Sequence, residues 1–146
     1  MCWANEAIIK VLLKDDGALA EAIGLMSHIV SAEHIWLSRI RGLNGMLAPW
    51  SALTLSECQE YAVSNCAGYL KIIRHLNEDS FDEPISFVLT NGKAMMSALG
   101  DILCHVPVHG AHHRGQITRI LSRNNIEPPA IDYILYSLHT DATRDR

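Results

Sequence analysis

The sequence predicts an all-α protein, a four-helix bundle with a small β-hairpin excursion near residues 85-96. Apolar residues recur every three or four positions through four long stretches. Capping and helix-breaking residues bound those stretches. Of the 146 residues, 49% are hydrophobic and 19% are charged. That balance supplies a packed core and is too apolar for disorder. The length fits one domain spanning residues 1-146.

The first helix is expected from about Asn5 to Leu13, with Ala7, Ile8, Val11 and Leu12 as its stripe and Asp15-Asp16-Gly17 as its stop. A longer one runs from about Ala18 to Arg41. Leu19, Ile23, Met26, Val30 and Leu37 line it, and Gly42 stands where a terminating glycine belongs. Asn44 to Thr54 reads as a loop containing Asn44-Gly45 and Pro49. Ser56 is the expected cap of the third helix, with Gln59 at capping-box spacing, and that helix continues to about Leu76. After the polar segment Asn77 to Pro84, the run Ile85 to Thr90 meets Asn91-Gly92 and then Lys93 to Met96. Asn-Gly between apolar runs predicts a hairpin with a type I′ turn. The fourth helix is expected from about Ser97 to Asn124, before Asn125 and Pro128-Pro129. A short last helix covers Ala130 to Leu138, and Thr140 to Arg146 reads as a frayed tail. Trp36 is read as core. Trp50, after Pro49, is read as a pocket wall or dimer contact.

Composition removes several function classes. The net charge is −4 and the isoelectric point is near 6.0. With no basic run, nucleic acid is not an expected partner. Charges interrupt every apolar run, so no membrane span is expected. The first ten residues carry Glu6 and no basic leader, so no signal peptide is expected. Cys2, Cys58, Cys66 and Cys104 form no CxxC pair and read as reduced core thiols of a cytoplasmic protein. Nucleophile-elbow, P-loop and dinucleotide-binding signatures are absent from the sequence.

The chemistry is concentrated in His105-Val-Pro-Val-His109-Gly-Ala-His112-His113-Arg-Gly-Gln116. His105, His109 and His113 recur every fourth residue. On a helix such neighbours share a face, about 5–6 Å apart. Two of them can share one ion at Zn–N distances of about 2.0–2.1 Å. His105 and His113, about 12 Å apart along the axis, cannot. Spacing leaves both the 105/109 and the 109/113 pair open. A further ligand must come from another helix, and the second helix offers His28 and His34. These project about 120° apart, and their contexts do not choose between them. His75 and His139 stand near helix ends and read as solvated. A metalloprotease helix needs Glu directly after its first histidine, and Gly110 follows His109. A di-iron carboxylate bundle needs Glu-x-x-His pairs, and none occurs. Glu33 reads as a surface charge on the second helix or as an orienter of a ligating imidazole.

Three stretches resemble the DinB-like superfamily, which includes the bacillithiol-transferase group. They are Trp3-Ala4-Asn5-Glu6, then His28-Ile29-Val30 with Ala32-Glu33 and Trp36-Leu37-Ser38-Arg39, and His109-Gly110-Ala111-His112-His113-Arg114-Gly115-Gln116. The resemblance implies a metal-binding bundle of up-down-down-up arrangement, often a homodimer. It implies His28, His109 and His113 as ligands of one divalent ion, zinc or nickel. His105 and His112 become pocket or supporting residues. Gln116 and Arg114 support the site or tie helices together, and Gly115 allows close helix packing. Catalytic residues are left unassigned. The implied activity is thiol S-transfer to a small-molecule substrate from a low-molecular-weight thiol, or metal-dependent hydrolysis. The alternative is a non-catalytic, stress-related metal-binding module. Pro107 departs from the resembling pattern, and predicts a kink or helix start near residues 103–107 that bears on His105.

Overall fold

A computed structural model describes residues 1–15, 19–43, 47–89 and 91–144, with side chains through 138. The elements are α1 (Cys2–Lys14), α2 (Ala20–Ile40), α3 (Leu55–Ile73), a turn of 3-10 helix (Asp79–Asp82), β1 (Pro84–Val88), β2 (Ala94–Ala98), α4 (Leu99–Arg123) and α5 (Tyr133–Arg144). The protein is mainly helical, and its two strands form one antiparallel sheet. α2 packs against both α3 and α4, while α1 closes on α3 and touches α2 and α4 more lightly.

Local chemistry sets the element ends. Gly42 adopts φ +65°. Its N–H donates to Arg39 O at 3.0 Å, and Leu43 N–H donates to Ser38 O at 2.9 Å. This is a Schellman motif, in which only a residue tolerant of positive φ fits. Asn125, at φ 58°, does the same for α4, with Ile126 N–H on Leu121 O at 3.0 Å. The expected Ser56–Gln59 cap is not the one used. Thr54 caps α3, accepting from Glu57 N–H at 3.3 Å, while Glu57 accepts from Thr54 N–H at 2.8 Å. Both T-x-x-E and S-x-x-Q satisfy the pattern, and the half-buried Leu55 belongs to the core as the first helical residue.

The hairpin forms with Ile85 opposite Ser97 and Phe87 opposite Met95, so Ser97 belongs to β2 rather than to α4. The expected two-residue type I′ turn does not form. Gly92, at φ +82°, is the positive-φ residue of this turn among those described. Gly92 N–H donates to Leu89 O, and Leu89 N–H donates to Lys93 O, both at 2.9 Å. That pattern is a three-residue loop with glycine at the bulge.

The main core joins Ile8, Ile9 and Leu12 of α1, Met26, Ile29 and Val30 of α2, Cys58 and Ala62 of α3, and Ile117 and Leu121 of α4. A second cluster of Leu37, Tyr69, Ile102 and Val106 carries the half-buried Trp36 at its edge. Gly68 lets α3 approach α2, since a Cβ there would meet Leu37 Cδ2 at 2.5 Å. Gly115 has open space around it, so it is not the close-packing glycine of the bundle.

Three further expectations are corrected. Of the kink or helix start expected near residues 103–107, the start is excluded, because α4 runs from Leu99 through Pro107. Pro107 is exposed, so water can meet the Leu103 carbonyl that loses its N–H partner. The segment expected to fray from Thr140 is helical through Arg144, and residues 145–146 lie outside those described. α5 is anchored by Tyr136, whose ring lies 5.5 Å from that of Trp3. The cysteines are not all reduced. Cys2 and Cys66 form a disulfide with Cα atoms 5.6 Å apart, while Cys58 is buried and free and Cys104 exposed and free. The tertiary approach of α1 to α3 makes the pair, and it removes the cysteine argument for a reducing compartment. No described helix is long and apolar enough to cross a membrane.

Candidate metal centre

α4 presents His109 and His113 one turn apart, as a helical repeat of four requires. α2 presents His28, 7% exposed, from across the bundle. The three rings meet edge-on. Centroids are 4.9 Å apart for His28 and His109, 4.6 Å for His28 and His113, and 4.6 Å for His109 and His113. One ring nitrogen from each lies within 4.8 Å of the other two. His28 Nε2 and His109 Nε2 stand 3.1 Å apart. Two nitrogens on a tetrahedral ion at Zn–N of about 2.0–2.1 Å would be ~3.3 Å apart, so the spacing fits a shared ion.

Hydrogen bonds orient the rings. His28 Nδ1–H donates to Pro49 O at 2.7 Å. This leaves Nε2 with its lone pair toward the cluster. The loop carrying Pro49 is held on α2 by Ser27, whose hydroxyl donates to Ser51 O and accepts from Leu53 N–H at 3.1 Å. The same loop lays Trp50 on His28, stacked at 3.8 Å with 10° between planes. Gln116 Oε1 accepts from His113 Nδ1–H at 2.7 Å, and its amide nitrogen reaches His112 Nε2 at 3.4 Å. One amide thus sets the His113 tautomer and pins the exposed His112 beside it.

Burial favours the neutral form of two of the imidazoles, His28 and His109. Burial, followed by the neighbouring His113, His28, His105 and His112, pushes His109 down to about 4. Burial holds His28 below the ordinary imidazole value, opposed by its Pro49 bond and aided by His113. A neutral imidazole is the form that ligates.

His105 stands outside the trio, its ring 5.4 Å from His109 and 5.4 Å from Trp36. His34 turns to α3, with Nδ1 on Asn65 Oδ1 at 3.2 Å and its ring 5.1 Å from that of Tyr61. It therefore does not take the place of His28. His75 Nδ1 bonds Lys71 O at a helix end. The side chain of residue 139 lies outside the description.

Glu33 is neither a surface charge nor an orienter of an imidazole. It is 2% exposed, and both its oxygens accept from Asn5 Nδ2, at 2.9 and 3.1 Å. Asn5 Oδ1 in turn accepts from the buried Arg114 at 2.9 Å. α1 and α4 thus close over the carboxyl from both sides. Burial pushes it up to about 7, against the opposing Asn5 bonds and Arg114 charge. Gly110 makes room for the Arg114 guanidinium, since a Cβ there would meet its Nη1 at 2.7 Å. Sequence reasoning missed the Pro49 carbonyl and Asn65. A backbone oxygen carries no residue-type signal, and Asn65 sits among ordinary polar positions of α3.

Fold and cluster together define a helical-bundle protein with three converging imidazoles fitted to a single metal ion. A family model for the DinB family matches residues 12–145. The chain belongs to the DinB family. No protein with a curated description matches it.

Proposed function

We propose that the protein is a metal-dependent enzyme that transfers a low-molecular-weight thiol to a small electrophilic substrate, with zinc or nickel held by His28, His109 and His113. The observation carrying this reading is the convergence of three ring nitrogens within 4.8 Å where His109 and His113 remain half-buried. Three protein ligands with a side open to solvent are the pattern of catalytic rather than closed structural sites. When bound, such an ion supplies Lewis acidity that favours the ionised form of a thiol or of water.

The chain's own residues supply the rest. Pro49 O and Gln116 Oε1 hold two rings in the ligating tautomer. Trp50 covers one face of His28 while staying 63% exposed, a position suited to a pocket wall that displaces water when substrate enters. His112 and His105 flank the two ends of the cluster. The apolar outer face of α3, with Val63, Leu70 and Ile73 exposed, supports the homodimer implied by the family resemblance.

A turnover screen of the metal-loaded protein tests the reading, pairing small thiols with electrophiles alongside ester and amide substrates. Thiol-dependent product that a chelator abolishes is expected. Thiol-independent ester or amide cleavage would replace transfer with hydrolysis. A filled site without turnover would leave the stress-related metal-binding module.

A further inference from the structure

Arg39 is a cation clasped by aromatic rings, with no carboxylate partner among the described residues. Its Cζ lies 4.5 Å from the Trp36 ring centroid and 4.7 Å from that of Phe87. One Nη2–H donates to Val88 O at 3.1 Å. The Trp36 and Phe87 rings meet at 77°, so the planar guanidinium can lie face-on to one of them only, and its N–H groups point outward in its own plane. A guanidinium carries five such donors. The hairpin clamp uses one, so a fork able to accept a carboxylate edge-on remains.

The fork connects with the histidine cluster. The Trp36 ring under Arg39 meets the His105 ring at 5.4 Å, and His105 meets His109 at 5.4 Å. All four side chains are half-buried or exposed, so this aromatic path is open to solvent. Arg39 follows His28 by eleven residues on one helix, a rise of ~16 Å. Its side chain leans back one turn onto Trp36, which brings the guanidinium to ~10 Å beyond the level of His28.

The geometry points to a carboxylate subsite formed by Arg39 on the Trp36–Phe87 aromatic platform, reached from the metal centre along His105. Its ligand is an elongated thiol bearing a carboxylate ~10 Å from its sulfur, about three residues of extended chain. The assignment of the ligand as the thiol rests on the transferase reading above. The carboxylate subsite itself does not.

The test uses the cobalt-loaded protein and the peptide acetyl-Cys-Gly-Gly as its free acid and as its carboxamide. Thiolate absorption on cobalt reports affinity, and the Arg39 Nε NMR signal reports the carboxylate. The acid is expected to bind about tenfold more tightly than the amide and to move the Arg39 signal, which the amide leaves in place. Arg39→Gln is expected to bring the acid:amide ratio to within about twofold, with the amide's affinity unchanged; Arg39→Lys retains part of the preference as a point charge. Equal wild-type affinities with a stationary Arg39 signal would overturn the subsite, as would an undiminished preference in Arg39→Gln. If Arg39→Gln fails to fold, the wild-type NMR signal decides. If neither peptide alters the cobalt spectrum but the acid still moves Arg39, the subsite stands and the thiol reading falls.

Discussion

Two of the three clustered imidazoles depend on a neighbour that fixes the tautomer, and the neighbours differ in kind. His113 relies on a side chain, Gln116, and His28 on a backbone oxygen, Pro49 O. His109→Ala and His113→Ala are each expected to lose the bound ion, read as metal per chain after dialysis. Gln116→Ala is expected to bind a full equivalent about 10- to 100-fold more weakly, the usual cost of freeing a ligand's support. Equal affinity in wild type and Gln116→Ala would remove that role. Glu33 gives a pH signature. Its folded pKa of about 7 lies above the ordinary carboxyl value of 4.5, so between those limits the native state holds a proton that the unfolded chain has released. Stability from this group is therefore greatest below about pH 4.5 and falls until about pH 7. The span corresponds to about 3 kcal/mol. Urea unfolding at pH 5 and 8 should show wild type losing more stability with rising pH than Glu33→Gln, which keeps an oxygen acceptor for Asn5. Comparing the two cancels the opposite slope from His109, whose lowered pKa favours the native state as pH rises. Identical slopes would place the Glu33 carboxyl in a more solvated setting.

Secondary structure was largely legible because its signals are local. Gly42 marks the end of α2, Asn124-Asn125 marks that of α4, and the apolar runs around Asn91-Gly92 mark the hairpin. Ambiguity arose where two local patterns overlap. Thr54-x-x-Glu57 and Ser56-x-x-Gln59 are both capping boxes, and packing of Leu55 chooses the first. Thr54→Ala is expected to lower unfolding free energy by about 1 kcal/mol, and Ser56→Ala to leave it within about 0.5 kcal/mol; the reverse order would contradict the cap. Glycines show the same limit. Gly115 stands in the histidine motif and packs against nothing, whereas Gly68, without any motif, sets the α2–α3 approach. Gly68→Ala is expected to cost about 1–3 kcal/mol through overpacking against Leu37, measured by the same unfolding experiment.

For the whole molecule, the Cys2–Cys66 bond spans 64 positions of chain and joins the start of α1 to the middle of α3. Thiol titration of the unreduced, denatured protein should therefore find two free groups, Cys58 and Cys104; four would mean the bond is absent. Closing a loop of that length stabilises by at most about 4 kcal/mol in the chain-entropy picture, so reduction should lower the unfolding midpoint without abolishing the helical signal. The four long helices, the hairpin and the i, i+4 spacing of His105, His109 and His113 were determined by the sequence itself, because caps, periodicity and turns act over a few residues; the choice of His109 with His113 came from the family resemblance and from packing. Three-dimensional packing alone decided which residues meet across the bundle. Resemblance pointed to His28, but its ring reaches His109 over 81 positions of chain. Asn5 reaches Glu33 over 28, and Cys2 reaches Cys66 over 64. Contacts at those separations depend on how α1, α2, α3 and α4 pack in the shared core, and no local pattern encodes that choice.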